Sequence, residues 1–494
     1  MLHRCYGLVP GAKLEQIAGR WLLAADYPLR QFEVNESARR LLQALDGRTP
    51  LHEIVEDPSR ELVRFLEDKV IAGLLHVSYS VEPLQQWPSV EVIVPVYENL
   101  EGLKRCLDGL AGLKYPRQRY SVTVVDDGSS FSILDALRGV DFAGLTTSWR
   151  HLNKNYGPAT ARNAGAGIFE SAMPNRFGRA AQPSQVLAFL DSDCVAHADW
   201  LETLVGVLDD PLLDAVGGRV EGLRKDSLLA RYEDGCASLN MGGRGGAAGL
   251  PGDAIPYLPA CNLLVKRAAF DAVKGFQHGL RLGEDVDLCW RLASAGHGLF
   301  YYAGGTVYHD YRVQWSPFLN RKRQYASSEA WLRRRHPDHY RRRGNWWGAV
   351  LLLCAGWAVQ TGQALALTPV PLLPPAAAML RLWRSRKVLR ATTFRKAAAA
   401  GLRAELASLL AQARSLTRHS LLLWFPLLVA FPRLLSVAGI VFLMAVCAEW
   451  RARRPNCGFF TFLAGFTSEC AAYSLGRLQG EARAWWRRML GGEP

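Results

Sequence analysis

Asp191 and Asp193 stand one residue apart where a short apolar run, Leu187-Ala-Phe-Leu190, gives out. A run of that length reads as a fully buried strand. Open α/β sheets bind ligands at the carboxyl ends of their strands, where these two acids would sit. Two acids so placed can share one hard divalent cation, Mg²⁺ or Mn²⁺, with positions left open for substrate phosphates; alone, the pair could equally be a solvated turn. Asp126 and Asp127 close a second buried-strand pattern, Tyr120-Ser-Val-Thr-Val-Val125, where carboxylates can accept hydrogen bonds from a base N–H and ribose hydroxyls. Arg162 falls in a helix after the Gly157-Pro158 turn. It either faces a diphosphate or pairs with a carboxylate at the core edge. Farther along, Glu284, Asp285 and Asp287 head a helical pattern that carries Trp290 and Arg291. Glu284 and Asp287 could simply complement the helix N-terminus; Trp290 and Arg291 could stack on sugar and diphosphate or belong to the helix core. His309 follows a turn and strand, Gly304 to Tyr308, a place where a lone histidine is more often structural than a ligand.

The elements that must position these groups follow from periodicity. Val90 to Tyr97 reads as a buried strand, Leu103 to Leu113 as an amphipathic helix and Tyr120 to Ser129 as a strand and turn. Strand, helix, strand implies a right-handed βαβ unit in an α/β fold, with a mostly parallel sheet and helices on both faces. Neither a G-x-G-x-x-G fingerprint nor a Walker lysine loop is present, which excludes the ordinary dinucleotide and P-loop sites. Gly242 to Gly249 is glycine-rich, follows no strand, and reads as a mobile loop over the substrate.

At 494 residues the chain should hold two or three domains. Ten cysteines without a C-x-x-C pair argue against zinc ribbons and disulfide scaffolds and fit reduced thiols. The net charge of +14 implies an acidic partner. Much of that charge lies in 321–343 and 381–403, around an apolar stretch, which favours anionic membrane lipids. No signal-peptide pattern opens the chain.

Four segments occur in an order that resembles the family-2 glycosyltransferases of GT-A fold: Val92-Ile-Val-Pro-Val-Tyr97, Val124-Val-Asp-Asp-Gly-Ser129, Ala159 to Gly165, and Asp191-Ser-Asp193. Pro259-Ala-Cys-Asn-Leu-Leu-Val265 looks like that family's acceptor-side strand, and Gly283-Glu-Asp-Val-Asp-Leu-Cys-Trp-Arg-Leu292 like its Glu-Asp catalytic segment. The resemblance covers about 88–312. It implies a UDP-sugar donor with its base over Asp126 or Asp127 and its diphosphate on a divalent metal held by Asp191 and Asp193. His309 would complete the metal site. Asp285 would be the base of an inverting displacement, with Asn262 and Glu284 on the acceptor side. Cys261 departs from the small residue usual before Asn262, which leaves the acceptor geometry open.

The segment 1–82 reads as one short strand near Trp21, three helices starting near Asn35, Pro50 and Pro58, and a strand at Leu74 to Val77, a small winged-helix module. Arg60, Arg64 and Lys69 on the third helix alternate with Glu61, Glu67 and Asp68, so it has no basic face and nucleic acid is not the expected partner. Leu41 to Val55 followed by Leu66 to Leu75 resembles PqqD-like domains, which take precursor peptides by strand addition. A plain packing module is the other reading.

In 313–494, basic clusters flank apolar blocks at 346–367, 369–380 and 421–450. Each block could go out and back across a membrane or lie in one leaflet, with the catalytic domain on the cytoplasmic face. No Q-x-x-R-W motif is present, which weighs against a processive synthase. The three parts in this order resemble the glycosyltransferases of mycofactocin systems. That resemblance implies glucose transfer from UDP-glucose to a peptide-derived redox cofactor precursor. Alternatives are a cell-envelope transferase with a lipid-linked acceptor and a peptide-binding scaffold with an inactive transferase domain.

Overall fold

The computed structural model describes residues 4–489 except 18, 27–28, 72, 81–83, 85, 143, 170–183, 252, 254, 341–345, 364–372 and 385–393. The ends of the apolar blocks expected at 346–367 and 369–380 that fall in 364–372, the basic cluster at 341–343 and residues 385–393 of the expected basic loop lie outside the described residues. The contacts gather the chain into two units. One is Tyr79–Trp315 with Trp331–Tyr340. The other joins Arg4–Ser78, Ser316–Ala330 and Arg341–Pro494, so the expected first and third segments share a unit.

The N-terminal part of the second unit opens with four strands, β1 (Arg4–Leu8), β2 (Ala12–Ile17), β3 (Arg20–Asp26) and β4 (Leu29–Val34), where sequence reading anticipated one. β2, β3 and β4 form an antiparallel sheet. Helices α1 (Glu36–Ala44), α2 (Leu51–Ile54) and α3 (Arg60–Ile71) follow, and β5 (Leu75–Tyr79) pairs with β1. Asn35 caps α1 as expected, its side chain accepting from the Ala38 amide at 2.8 Å.

The first unit alternates strands and helices: β6 (Val90–Val96), α4 (Leu100–Ala111), β7 (Tyr120–Asp126), α5 (Ile133–Ala136), β8 (Thr147–His151), α6 (Pro158–Ala166), β9 (Val186–Phe189), β10 (Cys194–Ala196) and α7 (Trp200–Leu208). Then come β11 (Ala215–Gly217), β12 (Val220–Gly222), α8 (Leu228–Cys236), β13 (Gly246–Ala247), β14 (Leu263–Lys266), α9 (Arg267–Ala272), α10 (Glu284–Ser294), β15 (Leu299–Tyr301) and β16 (Val307–His309). The main sheet runs β13-β15-β11-β14-β9-β6-β7-β8. It is parallel from β9 through β8 and becomes mixed where β14 runs antiparallel to both β9 and β11. A smaller sheet, β10-β16-β12, lies beyond the end of β9. The glycine-rich stretch anticipated as a lid instead supplies β13, an edge strand on β15, with the Tyr301 hydroxyl donating to the Gly242 carbonyl at 2.7 Å.

Two glycines set the sheet's fit. A Cβ on Gly165 would lie 2.4 Å from Ile93 Cγ2, so α6 can approach β6 only without a side chain there. Gly128 has φ +75° and would meet the Lys154 backbone at 2.4 Å, which brings the 153–157 turn against the end of β7.

The remaining helices are α11 (Trp315–Arg335), α12 (Pro337–Tyr340), α13 (Trp346–Thr361), α14 (Leu373–Arg384), α15 (Phe394–Ala430), α16 (Leu435–Arg453) and α17 (Phe459–Met489). The expected basic loop is therefore helical from Phe394 onward, and α15 continues through Pro426. Among the described residues one stretch, Pro432–Arg453, is long and apolar enough to cross a membrane; its mean hydropathy is 1.7 and 17% of it is buried.

Candidate active site

β9 ends at Phe189, and the chain turns through Leu190 to Ser192 before β10 starts at Cys194. Asp191 and Asp193 sit on that turn, partly exposed. α6 aims Arg162 at the same place. The guanidinium is buried and reaches Asp191 Oδ1 at 2.5 Å through one amino group and Glu284 Oε1 at 2.9 Å through the other. Its plane lies over Phe276, 5.4 Å from the ring centroid. Of the two roles open to Arg162, the structure shows carboxylate pairing. This one side chain ties the β9 turn to the start of α10, although 122 residues separate Arg162 from Glu284.

Asp285 is next on α10. Its Oδ1 accepts from the Val286 amide at 2.8 Å and its Oδ2 takes a long contact from the Ala260 amide at 3.4 Å. Burial, reinforced by the Glu284 charge and opposed by Arg162, pushes its carboxyl up to about 7. The acids at 191, 193 and 285 all act electrostatically on the buried Cys261 thiol, so they surround one region.

The antiparallel pairing of β10 with β16 sets Cys194 opposite His309. His309 Nε2 lies 3.5 Å from Asp193 Oδ1, and its Nδ1 is buried with no hydrogen-bond partner among the described residues. Asp193, Cys194 and His309 offer ligand atoms that all lie within 4.8 Å of one another. Burial raises the Cys194 thiol well above its ordinary pKa, and a hard cation takes oxygen ligands in preference to a soft thiolate. What remains, a carboxylate and an imidazole with a carboxylate two residues away, suits Mg²⁺ or Mn²⁺. Asp310 is occupied by Arg105 at 2.8 Å and Arg224 at 2.7 Å.

The strand-end pair is used differently. Asp127 accepts from the Tyr156 and Gly157 amides, both at 2.8 Å, and fixes the turn that starts α6. Burial raises its carboxyl against the lowering effect of those amides. Asp126 accepts from the Ser129 amide at 3.0 Å and contacts His151 Nδ1 at 2.9 Å. His151 is more than half exposed beside it.

Three side chains expected at the substrate make hydrogen bonds within the protein. Asn262 is fully buried; it accepts from Trp200 Nε1 at 2.7 Å and donates to the Arg219 and Gly305 carbonyls at 2.9 Å, so its amide ties the start of α7 to two loops. Each nitrogen of Arg291 already donates within the protein, to Asp287 and to the Val273 and Gly275 carbonyls, all at 2.7 Å. Trp290 donates to the Pro256 carbonyl at 2.8 Å and stacks on His339, ring centroids 4.0 Å apart. Asp287 is buried between Arg291 and His336, whose Nε2 is 2.9 Å away. Cys194, His151 and His336 were not singled out from sequence. Cys194 directly follows Asp193, which could have flagged it; nothing in Arg335-His-Pro-Asp-His339 points to α10.

Two family models match. Glycosyl transferase family 2 matches residues 91–274, and glycosyl transferase family group 2 matches residues 186–451, more than half of the chain. The chain belongs to the family-2 glycosyltransferases. This family-2 chain is 36% identical over 314 residues to the pre-mycofactocin glycosyltransferase of Mycobacterium tuberculosis H37Rv, covering 63% of this chain and 59% of that protein. It thus spans well under two thirds of that relative's length. It is 30% identical over 217 residues to glycosyltransferase AglE of Haloferax volcanii, covering 43% of this chain and 64% of AglE. A mannosyltransferase from Pyrobaculum calidifontis, solved with GDP-Man and Mn²⁺, covers 84% of this family-2 chain and 94% of its own at 16% identity and a TM-score of 0.44.

Proposed function

We propose that the protein is an inverting, metal-dependent glycosyltransferase that moves glucose from UDP-glucose to a hydroxyl of a peptide-derived redox cofactor precursor. The observation that carries the chemistry is the Arg162 bridge, which joins the Asp191–Asp193 turn to the Glu284–Asp285 segment. The choice of acceptor is supported by the 36% identity to the pre-mycofactocin glycosyltransferase; the donor sugar is the one that the family resemblance implies.

Asp285 removes the proton of the acceptor hydroxyl. A carboxyl held near neutrality by burial is matched to that task, because the base must be ionised yet still take a proton. One base and one displacement suffice for inversion, through an oxocarbenium-like transition state of the kind glycosyl chemistry generally uses. Asp193 and His309, with Asp191 beside them, would hold the divalent cation; when bound, it supplies Lewis-acid neutralisation of the departing diphosphate. Arg162 keeps Asp191 and Glu284 in register, with Glu284 on the acceptor side. Asp126 and Asp127 close the nucleotide side, where Asp127 holds the 156–157 turn in place.

The N-terminal module, a three-stranded sheet with two edge strands beside three helices, is proposed to be PqqD-like and to take the precursor peptide. The apolar Pro432–Arg453 helix supports membrane association, and the catalytic domain is proposed to lie on the cytoplasmic face. It also favours a second reading, a cell-envelope transferase with a lipid-linked acceptor. One experiment separates the two. Purified protein is incubated with a panel of sugar nucleotides, a small redox-cofactor acceptor and lipid extract, and the products are analysed by mass spectrometry. A hexose added to the cofactor from UDP-glucose supports the first reading; label confined to lipid selects the second.

A further inference from the structure

We infer that α15 and α16 form a re-entrant hairpin that dips into one face of an anionic bilayer and returns, with its tip at Phe431–Leu435 short of the opposite headgroups. The inference rests on the membrane reading above and specifies how the membrane is met.

The two helices pack antiparallel through a tight turn, and ion pairs fix their relative level. Arg414 on α15 bonds Glu449 on α16 at 3.2 Å, and Glu449 also holds Arg453 at 2.8 Å. With Arg451 and Arg454 these residues make a basic belt at one end of the hairpin. The whole Pro432–Arg453 stretch is long enough to cross, but its uncharged part, between Arg433 and Glu449, rises only about 24 Å at 1.5 Å per residue. That falls short of the roughly 30 Å of a hydrocarbon core. On the α15 side the uncharged run is shorter still, because it begins only after Arg418.

Exposure follows the same gradient. Near the tip, Phe425 (74%), Val429 (65%), Leu435 (64%) and Ile440 (61%) face outward. Toward the belt, Ala445 and Val446 are buried. Between α13, α15 and α16 lies a groove of about 480 Å³, walled by Leu353, Trp357, Trp424, Phe431 and Val437 among other apolar side chains. Water is a poor occupant of such a groove, and acyl chains fit it. Arg433 is the only charge at the tip. Its Nη1 donates at 2.6 Å to the Gln360 carbonyl in the last turn of α13, a pairing that makes an arginine tolerable within the apolar layer. A basic belt over an apolar wedge matches anionic headgroups over lipid tails.

Impermeant maleimide labelling of the full chain in membranes tests this. Cys354, Cys447 and Cys457 are replaced by serine, since the other seven cysteines are buried. Single cysteines are then introduced by Arg403→Cys before the hairpin, Phe431→Cys at its tip and Asn456→Cys after it, all at exposed positions. The expected result is that positions 403 and 456 label from the same face, while 431 labels from neither face until detergent is added. Labelling of 431 from the opposite face would make the hairpin spanning and overturn the inference. Labelling of 403 and 456 from opposite faces, or of 431 from the same face as both, would overturn it as well. Failure of the protein to sediment with vesicles containing phosphatidylglycerol would remove the membrane reading itself, a result separate from any labelling pattern.

Discussion

A raised carboxyl at residue 285 makes two predictions of opposite sense. As the base it must be ionised, so kcat/KM should climb as pH rises toward about 7 and then level off. Asp285→Asn should reduce transfer by about 10²-fold or more, the lower end of what general bases contribute, while UDP-glucose binding by calorimetry persists. For stability the sign reverses. A group whose folded pKa lies above its unfolded value stabilises the fold at low pH and loses that contribution as pH rises through the folded pKa. The melting temperature of Asp285→Asn minus that of the parent should therefore rise between pH 5 and pH 8; a difference that stays flat or falls would count against the buried-acid account. Arg162→Met should cost about 3 kcal/mol or more in chemical denaturation, because it leaves Glu284 buried beside Asp191 without a counter-charge. His309→Ala should weaken Mn²⁺ titration of the free protein, read by electron paramagnetic resonance, and leave its circular dichroism unchanged. The acids were legible from their positions at the ends of apolar runs. Their partners were less so: Arg162 could be placed on a helix, yet its choice between diphosphate and carboxylate is settled by tertiary approach, which a local pattern does not encode.

At the scale of elements, β6, β7 and β9 were the plainest strands to read, because each is dominated by apolar residues that the sheet buries. Sequence reading missed β8, which reads Thr-Ser-Trp-Arg-His, and the three-residue strands β10, β11, β12 and β15, too short to show a period; β16 was placed through the glycine turn before it. The antiparallel β14, and Asn262 just before it, were read through their resemblance to a family's acceptor-side strand; the hydrogen-bond partners of Asn262, remote in sequence, were not legible. Asn262→Ala would strand the Trp200 indole N–H and two carbonyls in a dry interior, at a cost of about 3 kcal/mol. Gly165→Ala should cost about 1–3 kcal/mol by overpacking α6 on Ile93. Thermal unfolding of both variants, followed at the same pH, checks these values; a neutral Gly165→Ala would mean that α6 can move away from the sheet at little cost.

Across the whole molecule, the grouping of residues 4–78 with the C-terminal helices was not legible, because it depends on which surfaces meet after three hundred intervening residues have folded. α15 touches β3 and β4 within that unit, and Lys322, Arg418 and Glu469 form an inward-facing charge group, with Glu469 3.5 Å from Lys322 and 3.7 Å from Arg418. Seven thiols lie out of solvent's reach, five in the transferase unit at 106, 194, 236, 261 and 289 and two in the other at 5 and 470. A chromogenic disulfide reagent under native conditions can attack each only during a transient opening of the unit that hides it. The protein thus carries two sets of built-in clocks, and peptide mapping of quenched samples would time the breathing of one unit against the other without any added label.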